Sequence, residues 1–250
     1  MDTRGSTPAP GRAEAQESAG SAEARFIRDR TRLAAPPLIP EIALHLSREE
    51  PTVLWEQTEL EVGRADLAPP FWAYPWAGGI ALARFLLDHP EQVTGAVVLD
   101  VAAGSGLVAI AAALAGAAEV IASDIDPMAV AAIGLNAGAN GVRVTVARGD
   151  LLTGGAAGAG TAAAVLASAA GGRGVDVVLV GDAFYERRMA HRVLAFLDRA
   201  RAAGARVLVG DPGRAYLPPA RLRAVASYAV PAWAGLEDEE IKQTTIWEPA

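Results

Sequence analysis

The sequence predicts a doubly wound α/β fold: one mostly parallel, seven-stranded sheet, helices on both faces, and an antiparallel hairpin at its C-terminal edge. Three observations lead there. Five short apolar runs rich in Val and Ile are separated by segments of helical composition. The runs are of the buried type, as strands covered on both faces require, and parallel strands need the crossover connections that cover them. Two late segments, Ala224 to Ala229 and Gln243 to Trp247, alternate in the manner of strands with one wet face.

Taken in order, residues 1–24 are rich in Ser, Ala, Gly and Pro and read as a disordered tail. Glu14, Glu17 and Glu23 argue against a transit peptide, and the apolar core of a signal peptide is missing. Residues 25–250 read as a single domain that opens with a helical and aromatic extension, 25–90. Val97-Val98-Leu99-Asp100 is the first core strand, followed by a glycine-containing turn and a helix from Leu107 to Leu114. The pattern returns at Glu119 to Asp124 with a helix from Pro127 to Leu135, and again at Val142 to Ala147. Thr153 to Gly174, Ala-rich with glycines at both ends, reads as an insertion between core strands. Val175 to Val180, a helix from Arg187 to Arg201, and Ala205 to Val209 complete the parallel core.

Composition narrows the function classes. At 250 residues, 52% of them hydrophobic and 20% charged, the chain can bury one sizeable core and is too short for two full-sized domains. A net charge of −7 argues against a broad basic surface, so no nucleic-acid partner is expected. The chain has no cysteine, which removes thiolate catalysis and disulfides, and His45, His89 and His191 are too scattered for a metal site. The apolar run from Val108 to Ala118 is interrupted by Gly116 and falls short of the roughly 18 residues a membrane span needs. A soluble, cytoplasmic protein is expected. Lys242 is the only lysine, which excludes a P-loop or a core Schiff base, and no G-x-S-x-G turn supplies a serine nucleophile.

The chemistry is expected at the strand ends, where open α/β sheets bind ligands. Gly104 and Gly106 lie in the turn after Asp100, where backbone must approach a ligand as a helix begins. Asp124 ends the next strand, 24 positions after Asp100, about the spacing at which a carboxylate meets ribose hydroxyls in nucleotide-binding folds. A tight βα turn without a ligand, or a dinucleotide site, are the alternatives; for the latter the third glycine of G-x-G-x-x-G falls on Ala109. Asp126, before Pro127, reads as a helix N-cap. Phe71, Trp72, Tyr74 and Trp76 fit neither helical nor strand spacing. They read as a hydrophobic plug, as a wall for a cationic ligand, or as both.

These pieces together carry a resemblance. Pro36-Pro37-Leu38-Ile39-Pro40-Glu41-Ile42, Pro69-Pro70-Phe71-Trp72-Ala73-Tyr74-Pro75-Trp76-Ala77-Gly78-Gly79, Leu99 to Leu107, and Asp124-Ile125-Asp126-Pro127 form its first half. Leu135-Asn136-Ala137 with Asn140-Gly141, Gly181-Asp182-Ala183-Phe184-Tyr185-Glu186, and Asp211-Pro212-Gly213-Arg214-Ala215-Tyr216-Leu217-Pro218 form the second. The chain from about Arg25 to Glu248 resembles the lysine methyltransferase family that modifies the electron transfer flavoprotein beta subunit. The resemblance implies the Rossmann-like class I methyltransferase fold, S-adenosyl-L-methionine as cofactor, and a protein substrate, the flavoprotein beta subunit. It implies a cofactor site of Trp72, Trp76, Asp100, Ala102, Gly104, Gly106, Asp124, Asp150 and Gly181, with the glycines under the methionine moiety, Asp124 on the ribose and Asp150 beside the adenine.

Asp182, Tyr185 and Glu186 are then the candidate catalytic residues. A lysine amine is mostly protonated at neutral pH and must shed a proton before it can attack a sulfonium methyl. Asp182 would orient the amine, Tyr185 would wall the site, and Glu186 would be a second acid at the entrance; the structural alternatives are a cap of the following helix for Asp182, core packing for Tyr185, and a surface residue of the first helical turn for Glu186. The chain departs from the family pattern at Ala102, where a glycine is usual and an alanine is tolerated if its φ is negative, so that an altered turn geometry with binding kept is expected, and in the length of the 153–174 insertion. A ribosomal protein or small-molecule amine is the alternative acceptor, and a catalytically inactive binding module is a third reading.

Overall fold

The computed structural model describes residues 21–63, 67–153, 174–233 and 240–250. The chain enters through α1 (Ala22–Arg30), whose N-cap Ser21 accepts from the Ala24 N–H at 3.1 Å and whose last turn carries Arg28 and Arg30 toward the negative end of the helix dipole. It therefore begins inside the stretch expected to be tail; residues 1–20 lie outside the described residues. A two-stranded sheet of β1 (Arg32–Ala34) and β2 (Leu44–Leu46) follows, which the composition did not announce. Next come α2 (Pro51–Val62), closed by Gly63 at φ +73°, a 3-10 turn at Phe71–Ala73, and α3 (Ala77–Asp88).

The core then runs β3 (Val97–Val101), α4 (Leu107–Leu114), β4 (Glu119–Asp124), α5 (Pro127–Ala139), β5 (Thr145–Arg148), β6 (Val177–Gly181), α6 (Arg187–Ala202) and β7 (Arg206–Asp211). The edge is β8 (Leu222–Pro231) and β9 (Ile241–Pro249). Asp126 caps α5 as expected, accepting from Met128 N–H at 2.9 Å ahead of Pro127. Of the insertion 153–174, residues 154–173 lie outside the described residues.

The strands stand in the order β5-β4-β3-β6-β7-β9-β8. The first five are parallel, and β9 pairs antiparallel with both β7 and β8. From β3 the chain winds one way through β4 and β5, then returns to the other side of β3 to lay down β6 and β7. A crevice thus opens at the carboxyl ends of β3 and β6, the switch point of the sheet.

Period-two alternation sorts each apolar run between two cores. Val98, Leu179 and Leu208 face α3 and α4, while Leu99, Val178, Val180 and Val209 face α6. Each of these side chains is fully buried and contributes about 1.5–3 kcal/mol. A third cluster joins α1 and α2 to α5: Phe26, Ile27 and Leu54 pack with Trp72, Tyr74 and Met128, so the N-terminal extension braces the segment that reaches the crevice. No helix among the described residues is long and apolar enough to cross a membrane.

Candidate active site

A cavity of about 630 Å³ opens at the switch point, large enough for a nucleoside-sized ligand and a side chain. The residues singled out in the sequence line it, with the exception of Gly106. Gly106 caps α4 at φ +80°, and a Cβ there would meet Ile133 Cγ1 at 3.2 Å, so it is needed for the seating of α5. Gly104, at φ +53° with open space where a Cβ would stand, is the position that leaves the floor of the cavity bare. Ala102 does not meet the condition of a negative φ. It sits at φ +55°, in the left-handed region, because the turn must reverse immediately after β3 to let Ala103 N–H reach the Ser123 carbonyl at 3.1 Å.

The carboxylates of the cofactor end are held by backbone. Asp124 Oδ2 accepts from Gly104 N–H at 2.9 Å and its Oδ1 from Asp126 N–H at 3.0 Å, which ties the glycine turn to the end of β4. Burial pushes the Asp124 carboxyl upward, against the pull of those donors. Asp100 accepts from Ala109 N–H in the first turn of α4 and is 1% exposed; burial, with the Asp124 charge as a smaller contribution, pushes it up to about 8. Asp150 Oδ1 accepts from Leu152 and Thr153 N–H, and its other oxygen lies 3.6 Å from Arg192. Ile125, an exposed apolar side chain between Asp124 and Asp126, adds a face that the sequence reading passed over.

At the other end the geometry turns on four glycines. A Cβ on Gly78 would stand 2.3 Å from the Gly210 carbonyl oxygen, one on Gly210 would stand 2.2 Å from the Gly78 oxygen, and one on Gly181 would stand 3.0 Å from the Gly79 Cα. The start of α3 therefore lies directly on the ends of β6 and β7. That contact brings the Gly78 N–H to Asp182 Oδ2 at 2.8 Å, while the Asp182 N–H donates to the Gly210 carbonyl. Asp182 is a helix cap, but of α3 across the fold; the helix that follows it, α6, is capped by Glu186, whose two oxygens accept from Arg188 and Met189 N–H.

Asp182 is 8% exposed, at φ +58°, and its charge is met by Arg214: Nε lies 2.5 Å from Oδ1 and Nη2 3.2 Å from Oδ2. Arg214 also lies over the Trp76 ring, 5.9 Å from its centroid. Its backbone is fixed by Asp211, whose Oδ1 accepts from Gly213 and Arg214 N–H, both at 2.7 Å. Arg214 belongs to the Asp211 to Pro218 motif, whose sequence alone does not assign it a role. The signal was present, since Asp211-Pro212-Gly213-Arg214 follows a core strand at the same end of the sheet as Asp100, Asp124 and Asp182.

The aromatic group divides between its two readings. Trp72 and Tyr74 are buried in the N-terminal cluster and still border the cavity. Phe71, Trp76 and Tyr185 form the accessible rim: Phe71 is 5.7 Å from Trp76 and 5.3 Å from Tyr185, ring centre to ring centre. Burial, followed by the nearby Asp124, raises the Tyr185 phenol, so it stays protonated near neutral pH.

Residues 82–168 match the family described as ribosomal protein L11 methyltransferase (PrmA). The electron transfer flavoprotein beta subunit lysine methyltransferase of Xenopus laevis is 34% identical over 240 residues, covering 93% of this chain and 89% of the relative. The protein of that name from Homo sapiens is 32% identical over 232 residues, covering 89% and 80%. Among solved structures, the ribosomal protein L11 methylase of Lactobacillus delbrueckii subsp. bulgaricus superposes with a TM-score of 0.44 at 18% identity, covering 75% of this chain and 84% of that one.

Proposed function

The chain belongs to the electron transfer flavoprotein beta subunit lysine methyltransferase family, and on that premise we propose that it methylates lysine on the beta subunit of electron transfer flavoprotein. The carrying observation is that one cavity joins the Gly104 turn and Asp124 at one end to Asp182, Tyr185 and Trp76 at the other. A bare glycine floor, a carboxylate at the end of the second core strand and a 630 Å³ volume fit S-adenosylmethionine. When bound, the cofactor supplies an electrophilic methyl group on a sulfonium.

The chain's residues then divide the work. Gly104 would let the backbone run beneath the methionine portion, Asp124 would accept from the ribose hydroxyls, and Ile125 and Asp150 would flank the base. Asp100, buried behind the glycine turn, fixes the start of α4 by accepting from the Ala109 N–H. Trp76 and Tyr185 line the path of the acceptor lysine and exclude water from it, and their ring faces attract cations by about 0.5–2 kcal/mol. Asp182 would orient the amine by accepting a hydrogen bond from it. Glu186 shapes the entrance by fixing the start of α6.

A ribosomal protein acceptor is the second reading, since the L11 family matches residues 82–168. That stretch spans the cofactor half and stops before Asp182, Tyr185 and Arg214, whereas the flavoprotein methyltransferases match through both halves. The test presents recombinant electron transfer flavoprotein, ribosomal protein L11 and a panel of free amines with isotopically labelled cofactor. Label on a beta-subunit lysine is expected; label confined to L11 or to a small amine would sink the acceptor assignment.

A further inference from the structure

The lysine amine must lose a proton before it can attack, and every carboxylate bordering the cavity is already engaged. Asp100, Asp124, Asp126 and Asp150 at the cofactor end each accept from backbone N–H groups, and Asp150 also faces Arg192. At the acceptor end Glu186 is spent on two N–H groups of its own helix, one of them that of Arg188. Tyr185 is a donor there, not a base. Asp182 remains, and its negative charge is already met by the Arg214 fork and the Gly78 N–H. A buried carboxylate so paired offers a lone pair without offering a net charge.

We propose that Arg214 is a positioning residue that, by neutralising Asp182, makes the acceptor end of the cavity admit the lysine as a neutral amine. This deepens the functional reading above and rests on its placement of Asp182 beside the amine. A lone Asp182 carboxylate would hold the ammonium form and keep it unreactive. With the guanidinium in place, a second cation entering beside Arg214 is repelled, while an uncharged amine can still donate an N–H to Asp182. The proton leaves to water as the side chain enters, and the nitrogen lone pair is then available to form the N–C bond as the S–C bond breaks to leave a neutral thioether. The aromatic rim serves the same end by excluding the water that would solvate an ammonium. No enzyme base is needed, and Arg214, held by Asp211 at its backbone and by Trp76 on its face, is rigid enough to keep the pairing while substrate enters.

The test reads protons. Calorimetry of n-butylamine binding to the S-adenosylhomocysteine-loaded enzyme near pH 8, in buffers of different ionisation enthalpy, counts protons released; the amine is almost wholly charged in solution there. Wild type is expected to release about one proton per amine bound, and Arg214→Gln about half of one. In methylation assays the rising limb of kcat against pH should move up by about one unit in Arg214→Gln, a loss that approaches about tenfold below the limb and that alkaline pH restores. Arg214→Lys should keep the wild-type limb at reduced height, and the double variant Asp182→Asn with Arg214→Gln should return the limb toward wild type. Asparagine is among the residues that tolerate the left-handed backbone at 182, so that variant should fold. An Arg214→Gln profile lying on the wild-type limb with only its height reduced, or unchanged proton release, would overturn the proposal. Unaltered amine affinity and turnover in Asp182→Asn alone would overturn the reading beneath it, and the proposal with it.

Discussion

Single residues at this site carry measurable consequences of where the backbone puts them. Ala102 is held at φ +55°, where a Cβ costs about 1–2 kcal/mol, so Ala102→Gly should stabilise the fold by about 1 kcal/mol after the entropy glycine adds to the unfolded chain. Urea titration should show a higher midpoint at unchanged slope. Asp100 gives a pH signature. Its carboxyl is raised from 3.8 to about 8 by burial, so the folded state keeps a proton that the unfolded state releases. That contribution to stability is present below about pH 4 and is lost as pH rises toward 8, the opposite of a salt-bridged aspartate. Asp100→Asn, which cannot ionise, should therefore melt above wild type at pH 8, with the gap closing toward pH 4. For Asp124→Ala, calorimetry should show S-adenosylmethionine binding weakened by about 1.5–3 kcal/mol with the fold intact.

At the scale of elements, the contact between α3 and the ends of β6 and β7 decides whether there is an acceptor site at all. Gly210→Ala would press a Cβ to 2.2 Å from the Gly78 carbonyl oxygen, which is backbone and cannot swing away. Overpacking of this kind costs about 1–3 kcal/mol or more, and the helix must lift to relieve it. Because Gly78 is the donor to Asp182, lifting α3 releases Asp182, and turnover should fall further than cofactor affinity; equal losses in both would mean the contact serves stability only. The order and type of the core elements were legible in the sequence because each strand is a continuous apolar run and each crossover helix has apolar residues for the sheet. The short β1 and β2 pair was not, since three-residue strands leave no period to read. Nor was the cap exchange, in which Asp182 serves α3 and Glu186 serves α6, because capping partners 104 positions apart have no local signature.

For the molecule as a whole, the net charge of −7 and the narrow aromatic rim bear on how a folded protein substrate arrives. Long-range attraction to a basic segment around the target lysine is screened over about 8 Å at physiological ionic strength, so kcat/KM for the protein substrate should fall as salt is added while kcat changes little. Free alkylamines, which carry no such segment, should show a much shallower dependence. The N-terminal extension belongs to the same scale: by bracing Trp72 and Tyr74 from behind, α1 and α2 turn an open sheet edge into a walled cavity.

The sequence alone identified which strands are buried, that Asp100 and Asp124 stand at the ends of two of them with Asp182 just beyond a third, and that a glycine turn opens the first crossover. Strand ends in a parallel sheet necessarily converge on one edge, so residues read as lying at strand ends were already known to be neighbours. Only the tertiary structure decided what each carboxylate faces. Pairings such as Arg214 with Asp182, or Gly78 with Gly210, depend on how closely a helix can settle on a sheet and on which side chain can reach a buried charge. Those are properties of packed surfaces, fixed by excluded volume and by the cost of leaving a charge alone, and neither is written in the spacing of residues along the chain.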